Sequence, residues 1–254
     1  MAALLTVGVA IPAGSAGLTG TAIMEKIDNR PDGNDRQTVM EMTLVNRRGR
    51  KRVRAMVVYS KDYGKDTKSI FYFRKPADVK GVGFLTWGYD NPARDDDRWL
   101  YLPALKRSKR ISGSSKNDYF MGSDLTYDDM GNRSVSEDVH TLLREETVDG
   151  HACWVVQSVP KDKSYMYSKV VSTIRKDALI TIKADFYDRH GALLKTMVKS
   201  DIRKHQGFWT AFLTKVENVQ ERHQTILKIE KMKYNRGLKN SLFRATTLER
   251  GRLK

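Results

Sequence analysis

Asp97-Arg-Trp-Leu-Tyr-Leu-Pro-Ala-Leu-Lys-Arg107, then Arg110-Ile111, then Phe120-Met-Gly-Ser-Asp-Leu-Thr-Tyr-Asp-Asp-Met130 is the stretch whose reading decides the fold. Its first part reads as a strand crowded with large apolar and aromatic side chains. Its middle is a basic, hairpin-like turn. Its last part predicts a short helix that opens on Ser123 and carries Leu125, Tyr127 and Met130. A strand with more apolar surface than one neighbour can cover, followed at once by a small aromatic helix, predicts a sheet with a lid.

Upstream, residues 82–87 form another strand after the connector Pro76-Ala-Asp-Val-Lys-Gly81. In the run 67–74, Ile70 and Tyr72 lie on one face and Phe71 and Phe73 on the other. Side chains alternate between the two faces of a strand, so both faces are covered or one lines a cavity. Residues 37–46 and 52–60 are extended runs joined by Asn46-Arg-Arg-Gly49, a hairpin signal. Before them, Thr19 is a helix N-cap, with Ala22, Ile23, Met24 and Ile27 on one stripe that ends at Arg30-Pro31.

Downstream, 140–147 and 153–160 flank the turn Val148-Asp-Gly-His151, and a meander follows over 170–175, 180–187, 193–202, 209–220 and 224–232. The last apolar piece, Leu242-Phe243 with Leu248, should pack back on the sheet. A sheet of about ten or eleven strands must curl or split. The expectation is an α+β, mainly β fold: a strongly curved antiparallel sheet whose concave side is covered by two or three short helices.

The chain has 254 residues, 40% of them hydrophobic, and no linker divides it, which predicts one domain over 17–254. Residues 1–16 read as a secretory signal: a short apolar run, then Pro12-Ala-Gly-Ser-Ala16, without the usual basic start. Cleavage is expected near Ala16, from a start that is truncated. Cys153 is the one cysteine, so no intramolecular disulfide forms, and beside Trp154 it reads as a small buried hydrophobe. An exported protein without a staple suggests a bacterial periplasm.

The net charge of +16 favours anionic partners. Its clusters fall at two expected hairpin turns, around Arg47, Arg48 and Arg50 and around Lys106 and Arg107. These are candidates for transient contact with a membrane surface or a partner. No catalytic group is assigned. The five histidines include no pair at metal-binding helical spacing, and no nucleophile elbow, phosphate-cradling loop or dinucleotide fingerprint is present. No metal or cofactor is therefore expected. The aromatic strands with basic neighbours resemble a single-strand nucleic-acid platform, but an export signal argues against that partner. Charges recurring on both faces of several strands argue against a membrane barrel.

Trp99-Leu-Tyr-Leu-Pro-Ala-Leu-Lys-Arg107 with Arg110-Ile-Ser112, and Phe120 to Met130, resemble the outer-membrane lipoprotein-sorting protein family of LolA-like periplasmic proteins. Phe73-Arg-Lys-Pro-Ala-Asp-Val-Lys-Gly-Val-Gly-Phe-Leu-Thr-Trp87 supports the match. The resemblance covers the chain after the signal and is most specific over 71–130. It implies a half-barrel whose apolar cavity receives acyl chains of a lipid or lipoprotein, with an inner-membrane transporter as a further partner. Candidate cavity residues are Phe84, Trp87, Trp99, Tyr101, Phe120, Met121, Leu125, Tyr127 and Met130. For each, ordinary core packing is the competing role, and strand parity decides which of them face inward. An alternative is an interaction subunit that docks on a transporter without lipid of its own. An enzyme acting on envelope lipids or glycans would need two carboxylates, or a carboxylate and a histidine, converging in that cavity.

Overall fold

The computed structural model describes residues 17–131 and 133–250; the signal-like run at 1–16 lies outside the described residues. A helix, α1 (Gly20–Asp28), precedes β1 (Asp35–Val45), β2 (Lys51–Tyr63), β3 (Asp66–Lys75), β4 (Gly83–Gly88), β5 (Asp97–Leu102) and β6 (Arg107–Ile111). After a long connection come β7 (Asp138–Val148), β8 (His151–Pro160), β9 (Lys169–Arg175) and β10 (Ile180–Tyr187). The chain continues through β11 (Leu193–His205), β12 (Phe208–Asn218), β13 (His223–Tyr234) and α2 (Ala245–Arg250).

All thirteen strands join one open sheet in the order β6-β5-β4-β3-β2-β1-β13-β12-β11-β10-β9-β8-β7. That exceeds the expected ten or eleven. Arg107–Ile111, read as a basic turn, is a strand because its backbone pairs with β5 while Arg107, Lys109 and Arg110 stay in water. The hairpin turns follow their sequence signals. At Asp149-Gly150 both residues have positive φ, +49° and +78°, as a two-residue turn requires.

One face of the sheet is concave, and register identifies it. Leu100, Phe84, Phe71 and Val58 are successive cross-strand partners, and Arg98, Thr86, Ser69 and Ser60 form the next row. Side chains from β4 and from β10, seven positions apart in the sheet, surround one cavity on this face. Register shifts at Val39/Met40, Ala55/Met56, Leu142/Arg144, Thr181/Lys183 and Phe186/Tyr187 supply local bends.

The two edge strands, β6 and β7, are joined by the connection over 112–137, which therefore crosses the open side of the half-barrel. Within it the expected helix from Ser123 does not form. A tight turn at Phe120–Gly122 leads into a loop closed by a Tyr119–Thr126 bridge. Local side chains capture the backbone: Thr126 N donates to Asp129 Oδ2 (2.7 Å) and Asp129 N to Thr126 Oγ1 (3.0 Å). These reciprocal bonds close one isolated turn, and the Tyr119–Thr126 bridge ties the residues before it into an extended pairing that a helix from Ser123 cannot share. The aromatic lid is a strap, not a helix.

The helix α1 follows its sequence signal, with Thr19 Oγ1 accepting from Ala22 N (3.1 Å). Its Ile23 is fully buried with Trp154, Val156 and Ile174 on the concave face of β8 and β9. The C-terminal segment lies on the opposite face. There Phe243 and Leu248 cover Val57, Ile70, Tyr72 and Leu85. The alternation at 70–73 is thus explained: both faces of β3 are buried, one under the strap and one under the C-terminal segment.

Candidate functional site

The strap and α1 leave part of the concave face open. Between them lies a cavity of about 490 Å³, within the size range of small-molecule sites. Met40, Val58, Phe71, Leu227 and Ile229 supply apolar walls, and Met130 of the strap and Ile27 of α1 close two sides. Towards the start of β1 the lining turns polar: Ser60, Ser69 and Thr86 present hydroxyls, and Arg30, Arg36 and Lys199 bring positive charge. Among the described residues no carboxylate and no histidine lines the cavity.

Each cation has a definable position. Arg30 Nη1 donates to the Trp209 carbonyl oxygen (3.1 Å). Arg36 Nη1 pairs with Asp32 Oδ2 at 2.7 Å. The Lys199 side chain is half-buried, and its ammonium lies in the cavity, where the surrounding protein strips away part of its water. Desolvation, reinforced by Arg30 and Arg36, lowers the Lys199 ammonium from 10.5 to about 8.

The other half of the concave face is filled. Phe120 stacks on Phe73 (5.9 Å between ring centroids) and meets Phe84 at 5.2 Å and Tyr127 at 5.6 Å. A buried polar network pins the strap above this aromatic cluster. Arg54 Nη1 donates to the Met121 carbonyl oxygen (2.6 Å), and Arg98 Nη2 pairs with Asp128 Oδ1 (2.6 Å) and Asp96 Oδ2 (2.9 Å). Lys195 Nζ reaches the Asp124 carbonyl oxygen (2.9 Å) and Asp129 Oδ2 (2.6 Å). Tyr165 and Tyr167 donate to Asp128 and Asp129. Burial raises the Asp96 carboxyl to about 6 despite the neighbouring Arg98. Of the neighbouring Asp95 and Asp96, the first is exposed and the second is buried in this network.

Against this geometry the nine candidate cavity residues separate. Phe84, Phe120 and Tyr127 belong to the filled aromatic cluster. Met130 lines the open cavity, Leu125 a neighbouring 230 Å³ pocket, and Met121 a 420 Å³ depression near Arg50. Trp87, Trp99 and Tyr101 lie on the opposite face under the C-terminal segment, where Trp87 Nε1 donates to the Phe243 carbonyl oxygen (2.9 Å). Parity sends them there: Phe84 and Trp87 are three residues apart on one strand and face oppositely.

Arg47, Arg48 and Arg50 are exposed and line a separate depression with Tyr119 and His223. His223 Nδ1 lies 2.8 Å from Asp124 Oδ2, whose other close partner is Thr225 Oγ1 at 2.7 Å. Lys106 and Arg107 are exposed at the β5–β6 turn. Because the strands alternate in direction, this turn and the β1–β2 turn fall on the same edge of the sheet. Leu105, 62% exposed, immediately precedes the basic pair of the second turn. Arg30, Arg36 and Lys199 escaped the sequence reading. One signal was available: Lys195, Met197 and Lys199 share a parity in β11, so an inward Met places both lysines inward.

A family model described as "Uncharacterized protein" matches residues 65–250. A DUF1329 family protein from Desulfovibrio piger is 36% identical over 90% of this chain and 97% of its own, with a TM-score of 0.86. A domain named for outer membrane lipoprotein sorting, from Vibrio parahaemolyticus, is 33% identical over 91% of this chain and 98% of its own, again with a TM-score of 0.86. A LolA superfamily protein from Nitrosomonas europaea shares the fold at 22% identity and a TM-score of 0.70, over 90% of this chain and 98% of its own. No curated protein sequence matches significantly.

Proposed function

The chain belongs to the LolA-like outer-membrane lipoprotein-sorting protein family, and from that premise we propose that it is a non-enzymatic periplasmic carrier. Its cargo is the acyl portion of a lipid or lipoprotein, held in the concave cavity during transfer between membranes or to and from a transporter. The observation that carries this reading is the 490 Å³ space between α1, the strap and the sheet, with its Met, Leu and Ile walls. An acyl chain costs about 0.8 kcal/mol per CH₂ when exposed to water, so leaving a membrane requires another apolar surface. Unbranched Met40, Met130 and Met232 suit chains of varied shape.

A docking subunit with a filled core would not need that space, and among the described residues the lining holds no acid–base pair for hydrolysis. Among the described residues no helix is long and apolar enough to cross a membrane. The basic turns at Arg47, Arg48, Arg50, Lys106 and Arg107, with Leu105 at one tip, form a candidate edge for brief contact with an anionic bilayer or a transporter. Native mass spectrometry of protein taken from a periplasmic extract, with lipid analysis of the bound mass, tests the proposal. A stoichiometric acyl ligand supports it. An empty protein that also fails to take up a fluorescent fatty acyl probe overturns it.

A further inference from the structure

The polar end of the cavity carries more positive charge than the fold accounts for. Three cations, Arg30, Arg36 and Lys199, line it; the carboxylates close by, Asp32 and Asp62, act on the two guanidiniums, Asp32 pairing with Arg36 at 2.7 Å. Arg30 is held by the Trp209 carbonyl oxygen. Lys199 is different: among the described residues it has no salt-bridge partner within 4.0 Å and no hydrogen-bond acceptor. Its charged neighbours are the two guanidiniums, one at the end of α1 and one on β1. By contrast Lys195, two pleats away on the same face, is fully neutralised by Asp129.

Stripping water from an ammonium beside two other cations costs free energy unless an anion compensates it. A few ångströms further in, the lining becomes Met40, Val58, Phe71 and Leu227. An apolar channel that ends in unneutralised cations and hydroxyls has the polarity of an anionic amphiphile in reverse. Resting on the carrier reading above, we infer that Lys199, with Arg30 and Arg36, receives the anionic headgroup of the acyl ligand. The cavity then selects chains ending in a carboxylate or a phosphate over neutral ones.

Competition against a fluorescent fatty acyl probe at pH 7 and low ionic strength tests this with dodecanoate, dodecyl phosphate and dodecanol. The expected result is that at least one of the anions binds tenfold or more tightly than the alcohol. Lys199→Met should remove about tenfold of that preference without weakening dodecanol, and Lys199→Arg should restore it. A preference for the carboxylate identifies a fatty-acid-like source, and a preference for the phosphate a phospholipid-like one. Equal binding of all three ligands overturns the headgroup assignment and leaves the carrier reading standing. Binding of none overturns both. Thermal unfolding of Lys199→Met confirms that any change in binding is not lost structure.

Discussion

Lys195 on β11 and Asp129 on the strap form an ion pair, Nζ to Oδ2 at 2.6 Å, in which the lysine has no exposed surface. The contact spans the open side of the half-barrel and ties the strap to a strand eight positions from β6, the strand that precedes it. Removing one member of a buried pair leaves the other charge uncompensated, at about 3–5 kcal/mol. Lys195→Met and Asp129→Asn should each destabilise by an amount in that range in urea unfolding. The double variant Lys195→Met/Asp129→Asn should lose less than the two single losses combined. Strict additivity would mean that the pair contributes nothing as a pair.

Phe120 anchors the same strap from its apolar side, fully buried against Phe71, Phe73, Phe84 and Tyr127. Phe120→Ala should cost about 3–5 kcal/mol, because the rings around it belong to paired strands and cannot collapse into the hole. If the cargo cavity lies where proposed, acyl-probe affinity at a temperature where the variant is folded should change by less than threefold. A much larger loss would place the ligand in the aromatic half instead.

Much of this architecture is legible in residue alternation, because burial on a pleated sheet has a strict period of two. Residues 70–73 announce two covered faces, Thr19 announces α1, and Leu242-Phe243 with Leu248 announces the cover on the outer face. What alternation leaves open is which parity faces the cavity, and so Trp87, Trp99 and Tyr101 share a candidate set with Phe84. The strap was hidden for another reason. Its apolar spacing fits a helix, and the partners that hold it in an irregular course, Lys195, Arg98 and Arg54, come from other parts of the chain. Lys199 went unread through parity again: only once Met197 is known to face inward does the alternation place Lys199 in the cavity.

At Gly20 the backbone of β7 approaches so closely that a Cβ would stand 2.7 Å from the His140 carbonyl carbon and oxygen and from Thr141 N. Backbone atoms of a paired strand cannot swing aside. Gly20→Ala should therefore displace α1 and cost about 1–3 kcal/mol, the range for overpacking a core site. Ile27 on α1 borders the cavity, so the same variant should raise the rate of acyl-probe release in stopped-flow measurements. Unchanged stability and release would show that α1 adjusts without leaving the sheet.

The last prediction concerns stability and pH. Lys199 titrates near 8 in the folded protein and at its ordinary 10.5 when unfolded. Between those values the unfolded chain holds a proton that the folded chain has lost, so this residue makes stability rise as pH climbs from about 8 to 10.5. Below 8 both states are protonated and the folded state carries the whole cost of stripping water from the ammonium beside Arg30 and Arg36. Lys199→Met lacks that cost. It should exceed the parent protein in stability at pH 7 by about 1–2 kcal/mol, a figure reduced for the water that reaches the side chain. The gap should close by about pH 10.5, while other titrating groups cancel in the comparison of the two proteins. Urea unfolding of both across pH 7 to 10.5 measures it. A variant less stable than its parent at pH 7 would mean that Lys199 is already neutralised within the fold, and the cavity would then have no charge in reserve for a headgroup.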